Sequence, residues 1–413
     1  MTCHKEKSPG LYQQWYGSEH ALHGVTCYDC HEAERGEADA FLHEGAYIST
    51  LVTPKECGAC HEAEAEEFIP SHHAKAGQIL ESADAYQANV VGGHPAAVAG
   101  CESCHGTRVE LDPDSPNRIK AGSWPNSGIG RINPDGSLGA CNACHLRHAF
   151  TKAQARQPET CGKCHLGPDH PQKEIYNESK HGIEYRTHKD QMNLTSDTWV
   201  VGEDYYIAPT CATCHLSATS DQRVTHDAGA RISWTLRPPV SRHQEDGQAK
   251  REAMEDVCTN CHGQVWVDGH YRQFDGVVNL YDEKFGRPAG EIMDILHRNG
   301  SLEREVSFGN DVEWVYWELW HHEGRRARHG AAMMGPDYTW WHGIYEVGKH
   351  FYFDLLPGVR AIGDEEATAY VDSLLAEDPM HRWLSQDTET LKAAIRSGEI
   401  REIYRHLYGP GGK

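Results

Sequence analysis

Apolar positions fall into two regimes along the 413-residue chain. Up to about residue 270, the stretches between recurring cysteines are rich in glycine, proline and charge. GTRVELDPDSPNRIKAGSWPNSGIGRINPDGSLGA, from Gly106 to Ala140, reads as loop rather than helix or strand. A loop of that length normally wraps something. Later the period becomes helical. In EIMDILHRNGSLEREVSFGNDVEWVYWELWHHEGRRARHG, Trp314, Trp317 and His321 recur at helical spacing, and Pro336 after Gly335 suits the first turn of a new helix. ETLKAAIRSGEIREIYRHLYG, near the end, is amphipathic as well. The pattern predicts an all-α protein with extensive irregular loops, divided into residues 1–270 and a helical C-terminal part, 271–413, with no obvious flexible linker. No run approaches the roughly 18 apolar residues that a membrane helix needs.

Charge narrows the choice of partner. The chain carries 39 basic and 61 acidic side chains, a formal net charge of −22. That balance repels nucleic acid and anionic lipid and favours a basic partner.

The cysteines change the picture most. Fourteen of the fifteen fall into seven copies of C-x-x-C-H. The pairs are Cys27 and Cys30 before His31, Cys57 and Cys60 before His61, Cys101 and Cys104 before His105, and Cys141 and Cys144 before His145. Cys161 and Cys164 before His165, Cys211 and Cys214 before His215, and Cys258 and Cys261 before His262 complete the set. Composition alone yields about 0.04 copies in such a chain. Two thiols at this spacing reach the two vinyl groups of one haem as thioethers, and the adjacent histidine meets the iron. Zinc knuckles do not need a histidine after every pair, and disulfides do not need the repeat. The motif therefore predicts covalent c-type haems in residues 1–270, with the haems supplying the apolar interior that the side chains lack.

The remaining cysteine, Cys3, precedes His4. A cysteine before Met1 would complete an eighth motif and make Met1 an internal residue; the rival reading is a haem held by the single thioether of Cys3. Covalent haem attachment takes place outside the cytoplasm, and no export signal precedes the first motif. The expectation is a periplasmic or other extracytoplasmic protein whose signal lies upstream of this sequence.

Of the 29 histidines, eight sit in attachment motifs, counting His4. Three others share a local pattern, S-x-H followed by alanine or glycine: Ser18 to Ala21, Ser71 to Ala74 and Ser179 to Gly182. His20, His73 and His181 are therefore predicted as distal iron ligands, with His226, His23, His43, His72, His94, His148 and His243 as weaker candidates. Two imidazoles on one iron make an electron carrier, whereas a vacant face makes a place for chemistry.

The whole pattern resembles the octahaem hydroxylamine oxidoreductase family, which includes hydrazine dehydrogenases. The likeness lies in the attachment sites and in CGKCHLGPDHPQKEIYNESKHG, THDAGARISWTLRPPVS and WHHEGRRARHGAAMMGPDYTWWHGIYEV. It implies eight c-type haems, seven of them bis-histidine and one five-coordinate. The five-coordinate, catalytic haem would be the fourth, at Cys101, Cys104 and His105. The resemblance also implies a tyrosine crosslinked to that haem from a neighbouring subunit of a homotrimer. Tyr338 and Tyr345 are the candidates; seven residues apart on one expected helix, they would share a face, and Tyr338 is favoured. An aspartate and a histidine over the open iron are implied too, and the only Asp-His dipeptide in the chain is Asp169-His170. The alternative for that dipeptide is an ordinary turn.

The activity so implied is oxidation of hydroxylamine, to nitric oxide or nitrite, or of hydrazine, with electrons passed to a soluble cytochrome c. The rivals are a reductive nitrite or hydroxylamine enzyme and a non-catalytic electron conduit. The basic cluster Arg325, Arg326 and Arg328 is expected to pair with haem propionates or across a subunit interface.

Overall fold

The computed structural model describes residues 2–81, 83–305 and 307–408. Met1 lies outside them. The fold is mostly helical with long irregular connections, and its β structure is confined to short pieces. One antiparallel hairpin pairs Phe41–His43 with Ala46–Ile48, and another pairs Trp234–Thr235 with Arg242–His243. No described helix is long and apolar enough to cross a membrane.

Two compact units emerge, one made of residues 1–164 and 188–231, the other of residues 165–187 and 232–413. The helix Gln264–Tyr281 runs through residue 270. The last attachment motif ends just before it, at His262.

In the first unit, several attachment motifs open or lie within single-turn helices started by threonine. Thr26, Thr53 and Thr210 precede Cys27–His31, Pro54–Gly58 and Cys211–His215. The backbone N–H groups of Thr26 and Thr53 donate to the Asp29 and Glu56 carboxylates at 2.6 and 2.7 Å, which satisfies donors that a helix start leaves open. The stretch from Gly106 to Ala140 holds only isolated bridges, such as Arg108 with Ile132 and Leu111 with Ile119. It packs a small cluster of Leu51, Val109 and Ile119. The buried Arg131 is held by Asn133 Oδ1 at 2.6 Å and by the Val52 carbonyl at 2.8 Å.

The second unit has the larger apolar core. Helices Gln264–Tyr281, Arg287–Arg298, Asp311–Glu318 and Glu365–Glu377 bury Tyr281, Ile292, Leu296, Leu319, Phe351, Leu355 and Val371 together. Pro336 does open a helix, Pro336–Thr339, as its position predicts. The amphipathic tail forms Thr388–Ser397 and Glu399–Ile403, separated at Gly398, whose φ of 84° is a left-handed helix stop. The expectation that Tyr338 and Tyr345 share a face of one helix does not hold. Gly343 lies between them at φ −121°, ψ −105°, outside helical values. A Cβ at Gly343 would stand 2.3 Å from the Tyr338 carbonyl, so the kink depends on glycine.

Candidate haem ligands and active site

The attachment histidines show how their rings are oriented. His31 Nδ1 lies 2.8 Å from the Ser49 carbonyl, His105 Nδ1 3.2 Å from that of Ala76, and His215 Nδ1 3.2 Å from that of Ala228. A carbonyl only accepts, so each Nδ1 carries the hydrogen and each Nε2 keeps a lone pair for a metal. This is the second-shell arrangement that an iron-bound histidine uses, and it supports haem ligation independently of the cysteine spacing. None of the fifteen cysteines forms a disulfide, so each thiol is available for a thioether bond.

Ring spacing provides a second test of fit. Two imidazoles on opposite faces of one iron put their ring centres about 6 Å apart, since a metal–nitrogen bond is about 2 Å and each ring centre lies about 1 Å further out. His4 and His43 are 6.0 Å apart, His20 and His61 6.1 Å, and His181 and His262 6.1 Å. His145 and His226 are electrostatic neighbours, as are His148 and His31. Burial first, then the partner imidazole, lowers the pKa of His20, His181, His145 and His148; that of His145 falls to about 4. Neutral imidazole is the form that binds iron.

His23 faces Glu19 at 3.8 Å on the surface, and His94 lies 3.2 Å from Asn89 Oδ1. His243 stacks on Trp234 with ring centres 3.6 Å apart. His72 is exposed, while His73 is half-buried in the turn begun by Ser71. The Glu67 carboxylate accepts the His226 backbone N–H at 2.6 Å.

The S-x-H pattern has a structural cause. Ser18, Ser71 and Ser179 are all buried, and each Oγ accepts the backbone N–H three residues on, from Ala21 at 3.2 Å, Ala74 at 3.4 Å and Gly182 at 3.1 Å. The serine caps a turn, and the histidine projects from it. The final residue must be small. At Gly182 a Cβ would fall 1.9 Å from the Tyr176 carbonyl.

His105 sits where backbone crosses backbone. Ile129 and Gly130 donate to the Cys104 and His105 carbonyls at 3.0 Å each. A Cβ at Gly128 would lie 2.0 Å from Gly106 N, and one at Gly130 would lie 2.4 Å from Gly77 N. These glycines let three segments close on the attachment helix Cys101–His105, so that Ala76 reaches the imidazole. The Cys104 and Cys164 thiols are hydrogen-bonded neighbours, which raises the Cys164 pKa, as are those of Cys57 and Cys141. Each contact brings cysteines of two attachment motifs together.

Asp169 and His170 belong to a cluster in the second unit. The Asp169 carboxylate accepts from His170 Nδ1, and Arg325 Nη1 lies 3.4 Å from Asp169 Oδ2 and 3.0 Å from His321 Nε2. Burial pushes the Asp169 carboxyl up. The hydrogen bond from His170 and the charges of His170, His321 and Arg325 outweigh it and hold the group well below the usual carboxylate range. The loop between His165 and Gln172 is a tight turn, with Gly167 at φ +100° and the Lys173 N–H bonded to the His165 carbonyl at 3.0 Å. The dipeptide is thus both a turn and part of a charged cluster. His165 and His170 rings are also 6.1 Å apart, with only four residues of this tight turn between them.

The cluster includes residues that pattern reading did not single out as site residues. His321, Arg325 and His329 recur every four residues, and that spacing was the available signal. Burial, then Arg328 and Arg325, pushes the His329 pKa down to about 3; burial, then His321, pushes that of His322 down to about 4. The basic cluster pairs within the chain. Arg325 faces Asp169, Arg326 reaches Glu346 at 2.6 Å and Glu323 at 3.1 Å, and Arg328 reaches Ser241 Oγ at 2.6 Å with Asp282 at 3.9 Å. Tyr338 packs on His342 with ring centres 5.4 Å apart, and its backbone N–H faces the Glu178 carboxylate. Tyr345 is half-exposed and packs on Trp341.

Comparison with known proteins finds multihaem cytochrome c relatives. Residues 136–307 match the family model described as seven times multi-haem cytochrome CxxCH, and residues 56–117 match that of cytochrome c554 and c-prime. A curated relative from Kuenenia stuttgartiensis, described as a probable nitrite reductase-hydroxylamine oxidoreductase fusion protein, is 24% identical over 459 residues. The match takes in 83% of this chain and 49% of the relative, so the chain spans about half the length of that relative. A solved structure described as a hypothetical multiheme protein superposes with a TM-score of 0.76 at 24% identity, covering 91% of this chain and 95% of the other. A reducing HAO-like protein complex of Kuenenia stuttgartiensis superposes with a TM-score of 0.62 at 21% identity, covering 90% and 84%. At these identities the structures show the shared fold.

Proposed function

We propose, for a chain that belongs to the hydroxylamine-oxidoreductase-like multihaem cytochromes c, that it oxidises a small nitrogen compound at one open haem and conducts the electrons away through bis-histidine haems. The substrate class is hydroxylamine, giving nitric oxide or nitrite, or hydrazine, giving dinitrogen. The open haem is the one at Cys101, Cys104 and His105. Of eight haems, the other seven take a second histidine. His43, His20 and His181 would hold iron opposite His4, His61 and His262, and His226 and His148 would do so opposite His145 and His31. Two attachment histidines remain, His165 and His215; His73 would serve one of them, and the second histidine of the other is not assigned.

Bound haem supplies the redox chemistry; the chain supplies position, proton handling and tuning. The Asp169–His170 pair is the observation that carries the reading. Asp169 is ionised and its low pKa makes it a poor base, so its part is to hold His170 with Nδ1–H turned inward. His170 Nε2 then takes protons as the substrate loses electrons. Tyr338, or else Tyr345, is the residue that crosslinks to a haem of a neighbouring subunit in a homotrimer. The acceptor is a basic soluble cytochrome c drawn by the acidic chain, in a periplasmic or other extracytoplasmic compartment.

A second reading runs the same site in reverse, reducing nitrite or hydroxylamine. It is supported by one fold neighbour, a reducing HAO-like protein complex, and by the curated relative, a probable nitrite reductase-hydroxylamine oxidoreductase fusion protein. Mass spectrometry of peptides holding Tyr338 and Tyr345, with product analysis for each substrate, separates the two. A haem adduct on either tyrosine supports oxidation, and its absence from both supports reduction.

A further inference from the structure

At His31, His105 and His215 the Nδ1 partner is a backbone carbonyl. At His165 a side chain takes that place. Gln172 Oε1 lies 3.4 Å from His165 Nδ1, and Gln172 Nε2 lies 3.4 Å from His329 Nδ1. Gln172 opens the helix Gln172–Glu178, and its backbone N–H is held by the His170 carbonyl at 2.9 Å. The next residue is tied to the His165 carbonyl. The amide is therefore fixed between two imidazoles by the turn that also carries Asp169 and His170.

A carboxamide has one accepting end and one donating end. Two imidazoles that each present Nδ1 to it cannot both carry hydrogen there, whichever way the amide is turned. His165, as an attachment histidine, offers Nε2 to iron, so its Nδ1 bears the hydrogen and takes the amide oxygen. The NH₂ end remains for His329, whose Nδ1 must accept and whose Nε2 must carry the hydrogen.

We propose that Gln172 is a positioning residue that locks His165 and His329 in opposite tautomers, so that His329 is not an iron ligand but a fixed Nε2–H donor beside His170. The proposal rests on the reading of His165 as a haem ligand and is independent of the direction in which the site runs. An iron-bound His329 would turn Nδ1–H against the amide NH₂, two donors face to face, a mismatch that costs the desolvation of both. A neutral histidine with its hydrogen on a fixed nitrogen suits a substrate that presents a lone pair, as a small oxygen- or nitrogen-bearing molecule does.

The test uses the full haem-loaded chain and the variants His329→Ala, Gln172→Glu and Gln172→Leu. The readouts are covalent haem at the Cys161–Cys164 peptide by mass spectrometry, high-spin haem content by electron paramagnetic resonance, and haem potentials by spectroelectrochemical titration. His329→Ala is expected to leave the number of high-spin haems unchanged. In Gln172→Glu the carboxylate draws on the Nδ1–H of His165, and one haem shifts toward the ferric form by about tenfold, about 59 mV for a one-electron couple. Gln172→Leu is expected to shift the same haem in the opposite direction. A new high-spin haem in His329→Ala overturns the proposal, and so do unchanged potentials in both Gln172 variants. Absence of haem from the Cys161–Cys164 peptide of the unmodified protein overturns the premise instead. No readout depends on turnover, so failure of the proposed activity is separately visible.

Discussion

Asp169 and His170, neighbours in sequence, are joined side chain to side chain, and Arg325 stands 3.4 Å from the carboxylate oxygen that His170 does not use. The arrangement holds an ionised carboxylate in a fixed relation to an imidazole. Asp169→Asn keeps the size but removes the charge that fixes the His170 tautomer. It is expected to lower kcat of the proposed oxidation by about 10² to 10⁴, with the haem content unchanged. Steady-state kinetics checks this, and a kcat equal to that of the parent removes the pair from the chemistry.

The capped turn before His181 makes a prediction about iron. Ser179→Ala loses the bond to the Gly182 N–H and is expected to cost about 1 kcal/mol in chemical denaturation. Gly182→Ala is expected to cost more, about 3 kcal/mol, because its Cβ meets the Tyr176 carbonyl. It also displaces His181, so the haem at Cys258 and Cys261 gains high-spin character. A Gly182→Ala protein with parental stability and spin state contradicts the account of this turn.

Beneath His105, Gly128 approaches Gly106 so closely that a side chain cannot enter. Gly128→Ala is expected to move the Cys101–His105 helix, change the absorption spectrum of one haem and lower activity more than tenfold, a loss of about 1.4 kcal/mol or more in transition-state stabilisation. Spectra and kinetics together check it.

Lys284 gives a pH prediction remote from any attachment motif. Its ammonium is held by Tyr404 Oη at 2.7 Å, and burial, opposed by Asp378, pushes its pKa down from 10.5 to about 8. Between those values the unfolded chain binds the proton that the native state has released. Native stability from this group therefore rises as pH rises from about 8 to 10. Lys284→Met is expected to abolish that contribution, flattening Tm against pH across the window relative to the parent. Identical slopes in the two proteins count against it.

What the sequence revealed follows from how local the chemistry is. Attachment motifs and the S-x-H turns are visible because two thiols and an imidazole, or a serine and a small residue, must sit at fixed short spacing. His20 and His181 could be chosen that way, and each stands one bis-imidazole spacing from an attachment histidine. His43, ranked as a weaker candidate, stands equally well placed opposite His4, because its position is set by a hairpin rather than by its neighbours. Arg325, part of a basic cluster expected to pair with propionates or across a subunit interface, also faces Asp169, 156 residues away in sequence. Such pairing depends on tertiary contacts that no local pattern encodes. The kink at Gly343 was hidden for a related reason: a glycine within an aromatic run reads as helix until a second segment, here Ala327, is packed against it.

The proposed function requires one haem, held by Cys101, Cys104 and His105, to keep an open face while the others are capped by histidine. Carbon monoxide titration of the fully reduced, haem-loaded protein tests it most directly, with the bound haem located by repeating the titration on Cys101→Ala/Cys104→Ala. The account predicts one equivalent of carbon monoxide per chain, abolished in that variant. No binding, or one equivalent retained when that attachment site is removed, contradicts it.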